Sequence, residues 1–256
     1  MKRVMALFLA LMLAPAAFAD PLSPAEDFSD TVTICYNGKD FSDGRYIYTY
    51  RYPSVEDTDE NDLSSVSVNE YYRKKVQEYT DFYIPSQASE YAGYCMDVDI
   101  DISYQITCNN DDCFSVLIRK KENVGGEITE SWEGNTFSRS SQVIGSLTSL
   151  PRLLGLVEDG ESDDWLEDRQ SRKVWEVLCS LVWNAIQDNP DEIPYNPDLT
   201  KDDLEYIIDP VLSLDQDFYM DSSGNPVFFI LPGRAAPADI GLLTFPFTLD
   251  QILDEL

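Results

Sequence analysis

The stretch from Cys95 to Thr107, CMDVDIDISYQIT, reads as a β-strand and as no other regular structure. Met96, Val98, Ile100, Ile102, Tyr104 and Ile106 alternate without a break with Asp97, Asp99, Asp101, Ser103 and Gln105. A period of two puts one set on a buried face and the other in water, whereas a helix would scatter both around its axis. Such a strand needs partners in a sheet and a layer over its apolar face. Phe114 to Ile118 supplies the first partner, across the turn Asn109 to Asp112. Matching apolar to apolar pairs Ile106 with Phe114, Tyr104 with Val116 and Ile102 with Ile118.

Other segments fill in a mixed fold. Thr31 to Tyr36 and Tyr46 to Tyr52 alternate in the same way, and further strands are expected over Gly126 to Trp132 and from Phe137. Ser54 to Ser65 is irregular and acidic, as an exposed loop would be. From Val68 to Tyr83 the period lengthens, with Tyr72, Val76 and Tyr79 on one helical face, and Pro85 ends or bends that helix. A second helix runs from Gln170 to Ile186, carrying Val174, Leu178, Leu181, Val182 and Ala185 on a common face. Thr200 followed by Asp203 opens a short helix over Asp202 to Ile208 as a capping-box variant.

The last forty residues read in order as hairpin, crossover, strand and helix. Phe218 to Met220 enters the turn Asp221 to Asn225, and Val227 to Leu231 returns. Pro232-Gly233 stops that strand, Leu242 to Phe247 is extended again, and Thr248 caps a helix with Asp250 in its first turn.

The N-terminus has the pattern of a secretory signal over residues 1–19: Lys2 and Arg3, an apolar run from Val4 to Leu13, then small residues before Asp20. Its apolar run is shorter than the ~20 residues that cross a bilayer. A secreted or extracytoplasmic protein with no membrane span after cleavage is expected. Residues 20–30 look like a mobile leader. Cleavage would take Lys2 and Arg3 and no acidic side chain, moving the formal charge from −29 to −31. A surface that acidic disfavours nucleic acid and anionic lipid and attracts cationic proteins or metal ions. Fifteen Tyr and twelve Phe supply enough apolar area for a folded core despite the charge.

No histidine occurs in the 256 residues. That removes His triads, His zinc ligands and His general bases, and leaves carboxylates, Tyr, Lys, Ser or Cys for any chemistry. A glycosidase needs only two carboxyl groups, so a carboxylate-based hydrolase of envelope glycans stays open. Asp97, Asp99 and Asp101 stand about 7 Å apart along one strand face and are weak candidates for a calcium-stabilised module. The acidic run Glu56 to Asp62 departs from a calcium loop, with Asp62 at its glycine position. Cys35, Cys95, Cys108 and Cys113 are disulfide candidates, with three possible pairings. Proximity favours Cys108 with Cys113, although the register above sets Cys113 opposite Thr107. Cys179 flanks an apolar helix face and reads as a buried thiol.

Two resemblances follow. The run Ala235-Ala236-Pro237-Ala238-Asp239-Ile240-Gly241 after a hairpin is similar to the close of the C-terminal domain of RsiV-type anti-sigma factors, extracytoplasmic sensors of lysozyme. Ala238 and Asp239 replace that family's Tyr and Ala. Val68-Asn69, Ile102-Ser103-Tyr104 and Phe114-Ser115-Val116-Leu117-Ile118 resemble the small domain that precedes it and that also occurs in the deacetylase PdaC, and Phe137 with Leu147 to Leu150 fits the connection between the two. PdaC's activity belongs to a separate His-dependent domain and is not implied here. The resemblances imply an α+β fold of two small packed subdomains, with antiparallel sheets and helices on one face. They divide the chain at 31–133 and 134–256. They imply a non-catalytic binder of a cationic lysozyme-type protein or peptidoglycan, without cofactor; no contact residue carries over from them, and the stretch Pro232 to Asp239, with Arg234, Pro237 and Asp239, is the candidate recognition surface.

Overall fold

A computed structural model describes residues 20–36, 44–56, 63–94, 96–139, 144–157, 169–188 and 193–256. The signal segment, Cys95 and most of the Glu56 to Asp62 run lie outside the described residues.

The alternating strand sits in the middle of a five-stranded sheet, ordered β1 (Phe28–Tyr36), β2 (Gly44–Tyr52), β3 (Val98–Asn109), β4 (Cys113–Val124) and β5 (Glu127–Ser138). Every pairing is antiparallel except β2 with β3, which is parallel. A parallel neighbour requires a crossover. It is supplied by α1 (Leu63–Glu78), a π-helical turn over Tyr79–Tyr83 and α2 (Ile84–Tyr94), which run on as one helical segment. Pro85 therefore does not end the helical segment: it directly follows the π-helical turn, where the regular hydrogen-bond ladder is already interrupted.

One face of this sheet holds the first core. Tyr46, Tyr48, Tyr50 and Tyr52 line it from β2, with Ile100 and Ile102 from β3, Phe114 and Val116 from β4, and Val68 and Tyr72 from α1. Asn69 fixes the approach of α1. Its side-chain amide donates to the Val55 carbonyl (2.8 Å), and its oxygen accepts the Val55 N–H (3.0 Å). Ser54 and Val55 are consequently buried, and the expected exposed loop begins only beyond them. The leader is also tied down. Leu22 is 2% exposed, exchanges two hydrogen bonds with the Asn109 side chain (2.9 and 2.8 Å), and β1 already begins at Phe28. Burying one leucine is worth about 2 kcal/mol, enough to hold a short strap in place.

The β3–β4 register differs from the sequence expectation. Ile106 faces Val116, Tyr104 faces Ile118 and Ile102 faces Lys120. A bulge at Thr107 then sets Cys108 opposite Ser115. The apolar pattern misleads here because Cys113 to Val116 are buried on both faces of the sheet, so alternation no longer marks parity. The long side chains of Lys120 and Glu122 finish the core face instead, paired at 2.8 Å, with Lys120 over the ring of Tyr83.

Beyond the sheet come α3 (Leu150–Leu153), α4 (Arg169–Asp188), α5 (Lys201–Ile207) and α6 (Leu212–Asp215). A second, antiparallel sheet follows, ordered β6 (Phe218–Met220), β7 (Pro226–Ile230), β8 (Leu243–Pro246), and α7 (Leu249–Asp254) closes the chain. Val174, Leu178, Val182 and Ile186 of α4 pack with Phe228, Ile230 and Phe245 in a second core. Cys108 and Cys113 belong to that core, so the second unit rests on the far face of the first sheet. β6 makes the join: the Gly134 N–H donates to the Gln216 carbonyl (2.6 Å) and the Met220 N–H to the Ser115 hydroxyl (3.0 Å). The fold is α+β in two packed parts. The boundary expected at residues 133/134 falls inside β5, which the sequence divides into two strands and the structure runs as one.

Candidate functional site

The connection from β7 to β8 separates inward from outward residues cleanly. Gly233, at φ +77°, turns the chain out of β7. Ala235 and Ala236 then point into the second core, 0% and 2% exposed. Asn196 clamps them from outside, donating its backbone N–H to the Ala235 carbonyl (3.0 Å) and its side-chain amide to the Arg234 carbonyl (3.4 Å). Pro237 caps one turn of 3₁₀-helix over Ala238–Ile240, and Gly241 leaves it at φ 85°, ψ −153°, a conformation essentially restricted to glycine. Arg234, Pro237, Asp239 and Ile240 are exposed along this rim.

Arg234 reaches back over a cavity of about 180 Å³ that it shares with Asp209, Asp217, Leu212, Phe229 and Leu231. Asp209 is held by the start of α6, its Oδ1 accepting from the Val211 and Leu212 N–H groups, both at 2.9 Å. Asp217 lies between α6 and β6, and its carbonyl accepts the Phe229 N–H (2.9 Å). Burial pushes the Asp217 carboxyl up to about 6, the Asp209 charge pushes the same way, and the Arg234 guanidinium opposes both. The arrangement offers two carboxyl groups and one guanidinium against apolar walls. It can pair a single cationic side chain with the carboxylates while Arg234 takes a neighbouring carboxylate or carbonyl. Pockets for drug-sized ligands run to roughly 300–1,000 Å³, so this one suits a protruding side chain better than a stretch of glycan chain.

The other sequence candidates lie apart from this pocket. Asp97, Asp99 and Asp101 are exposed on the outer face of the first sheet, and Asp97 accepts the Arg45 N–H at 2.9 Å. Among the described residues no three carboxylate or thiol side chains gather as a metal-holding group. Cys35 is exposed on β1. Cys179 is 1% exposed and burial pushes its thiol up to about 12, as suits a packing residue. Of the rim residues named from sequence, Arg234 alone lines the pocket. Asp209 and Asp217 were missed, because among 47 acidic residues nothing local distinguishes them; the Asp209-Pro210 turn is the only hint.

A second polar constellation is internal to the first core. The Tyr72 hydroxyl donates to Asn135 Oδ1 (3.1 Å), Asn135 Nδ2 donates to Glu133 Oε1 (2.6 Å), and Lys75 Nζ reaches the same oxygen (2.6 Å). Lys75 also lies over the rings of Tyr52 and Tyr71. Each member satisfies another, which is the signature of a network that orients α1 on β5.

No family model matches this chain, and no curated protein matches it. Among solved structures, a member of the DUF3298 family from Bacteroides fragilis NCTC 9343 aligns with 91% of this chain and 94% of its own length, at a TM-score of 0.56 and 15% identity. A DUF3298 family protein from Pseudomonas aeruginosa PAO1 aligns over the same shares at a TM-score of 0.43 and 11% identity. DUF3298 is a domain of unknown function, and the likeness to the first of these is one of fold.

Proposed function

We propose that the chain is an exported, non-catalytic binding protein, organised like the PdaC-type and RsiV-type domains, that recognises a cationic protein of the cell envelope such as a lysozyme-type hydrolase. The observation that carries this reading is the pocket of Asp209 and Asp217 beneath Arg234 at an exposed rim. A formal charge of −29 adds long-range attraction for a cationic partner, and the pocket adds a short-range fit for one Lys or Arg. Long-range attraction alone fades beyond a Debye length of about 8 Å at physiological salt, whereas a partly desolvated pair is screened far less.

The test is binding of residues 20–256 to a cationic lysozyme and, separately, to soluble peptidoglycan fragments, at low and physiological salt. Lysozyme binding that survives physiological salt and weakens at least about tenfold in Asp209→Asn/Asp217→Asn supports a shaped interface. Binding that disappears with salt, or that ignores both substitutions, removes the proposal. Preference for peptidoglycan would transfer the recognition role to a glycan or peptide ligand.

One arrangement favours a second reading, a carboxylate-based hydrolase: Asp217 shares the pocket with the Asp209 carboxyl, and burial and that charge push it up to about 6, as in a general acid. Release of product from labelled peptidoglycan that is abolished in Asp217→Asn would promote it. The small cavity argues the other way.

A further inference from the structure

Cys108 and Cys113 bring their sulfur atoms to 3.5 Å as unbonded thiols. The bulge at Thr107 is what makes this possible, since it turns Cys108 onto the face that Cys113 already occupies. The intervening turn is rigid: Asn110 Oδ1 accepts the N–H groups of both Asp112 and Cys113 at 2.9 Å, and the Asn110 N–H donates to the Cys113 carbonyl at 3.1 Å. The two thiols differ in environment. The Cys113 thiol and the Gly224 N–H both donate toward the Cys108 sulfur, which lowers its pKa despite burial, whereas Cys113 is raised by its bond to Cys108 and by burial. Cys113 lines a cavity of about 360 Å³ with Asp112, Arg152, Met220 and Gly224, which reaches one side of the pair although Cys108 and Cys113 are themselves almost wholly buried.

We propose that Cys108 and Cys113 are a thiol–disulfide site that closes intramolecularly by exchange with a small external disulfide. One of the two sulfurs, as the thiolate, attacks one sulfur of a small external disulfide, such as oxidised glutathione, and expels one glutathione thiolate. The other thiol then loses its proton and attacks the protein sulfur of the mixed disulfide, expelling the second glutathione. Two protons and two electrons leave the pair, and one external disulfide becomes two thiols. The sulfurs need to approach by only about 1.5 Å to reach bonding distance, within the reach of side-chain rotation. The closed bond would tie the end of β3 to the start of β4 directly under the Asp221 to Asn225 turn, where the second unit rests on the first sheet. The pairing stands independently of the proposed binding role.

The experiment uses the full chain from residue 20 with Cys35→Ser, Cys95→Ser and Cys179→Ser, equilibrated in glutathione buffers from reducing to oxidising, then denatured and alkylated. Oxidising buffer is expected to remove both thiols from alkylation and lower the intact mass by about 2 Da, with reversal in reducing buffer. Two alkylated cysteines at every ratio, or a stable glutathione adduct without closure, would overturn the pairing. If that variant does not fold, peptide mapping of the unsubstituted protein decides the same point by whether Cys108 and Cys113 are found linked. In single variants, Cys113→Ser and Cys108→Ser cannot close, and each should hold glutathione as a mixed disulfide on the cysteine that remains. No adduct on either variant would show that an external disulfide does not reach the pair and would overturn the site.

Discussion

A side-chain carbon at position 134 would stand 1.6 Å from the carbonyl oxygen of Phe218, so Gly134 on β5 and Phe218 on β6 meet backbone to backbone. The contact joins the two halves of the molecule, and the neighbouring Gly134 N–H to Gln216 bond depends on it. The obstacle is main chain, which cannot swing aside as a flexible side chain can. Gly134→Ala is therefore expected to cost about 3 kcal/mol or more, read as a lowered urea midpoint. Gly126→Ala meets open space and only a φ of +96°, so its cost should stay near 1–2 kcal/mol. Equal losses in the two variants would contradict a steric role for Gly134.

The Tyr72, Asn135, Glu133 and Lys75 network predicts coupled losses. Tyr72→Phe leaves the wholly buried Asn135 oxygen without its donor and is expected to cost about 1–3 kcal/mol. Lys75→Met and Glu133→Gln together should cost less than the sum of the single changes, with a coupling of about 1 kcal/mol in a double-mutant cycle. Strict additivity would mean that the Lys75 to Glu133 pair contributes nothing beyond packing.

Asp217 predicts a pH dependence with a definite sign. Its folded pKa, about 6, lies above the ordinary 3.8, so between those values the folded state holds a proton that the unfolded state has released. This contribution is complete below about pH 4 and disappears as pH rises through 6. Asp217→Asn cannot ionise, so it should match the natural chain near pH 4 and exceed it at pH 7 by up to about 3 kcal/mol. Denaturant midpoints of both proteins across this range give the comparison. Parallel curves would show that the carboxyl is solvated in the folded state.

Thr248 supplies a local test. Its hydroxyl accepts the Gln251 N–H (3.1 Å) while the Gln251 side chain accepts the Thr248 N–H (2.7 Å), and the helix so started seats Ile252 fully in the second core. Thr248→Ala should cost about 1 kcal/mol, and Thr248→Asn should recover most of it, by thermal denaturation.

Much of the architecture was written in short-range pattern. The alternation through β3, the apolar stripe of α4, the helix caps at Thr200 and Thr248 and the hairpin turn at Asp221 to Asn225 all appear where the residues place them, because each depends on neighbours within a few positions. The Val68-Asn69 pair acquired its reason only in the fold, where Asn69 holds the Val55 backbone.

What the chain determined by itself was thus most of its strands, the helices over Val68 to Glu78 and Gln170 to Ile186, the α+β class and the net charge. Tertiary structure decided the parallel β2–β3 pairing, the two-residue shift of β4, the seat of the leader strap on Asn109 and the meeting of Asp209, Asp217 and Arg234. Each of these turns on which surfaces are covered from both sides, and that depends on residues dozens of positions away. Gly134 is the plainest case: in sequence it is a weak spot in a strand, and only the approach of Phe218, more than eighty residues later, explains why a side chain has no room there.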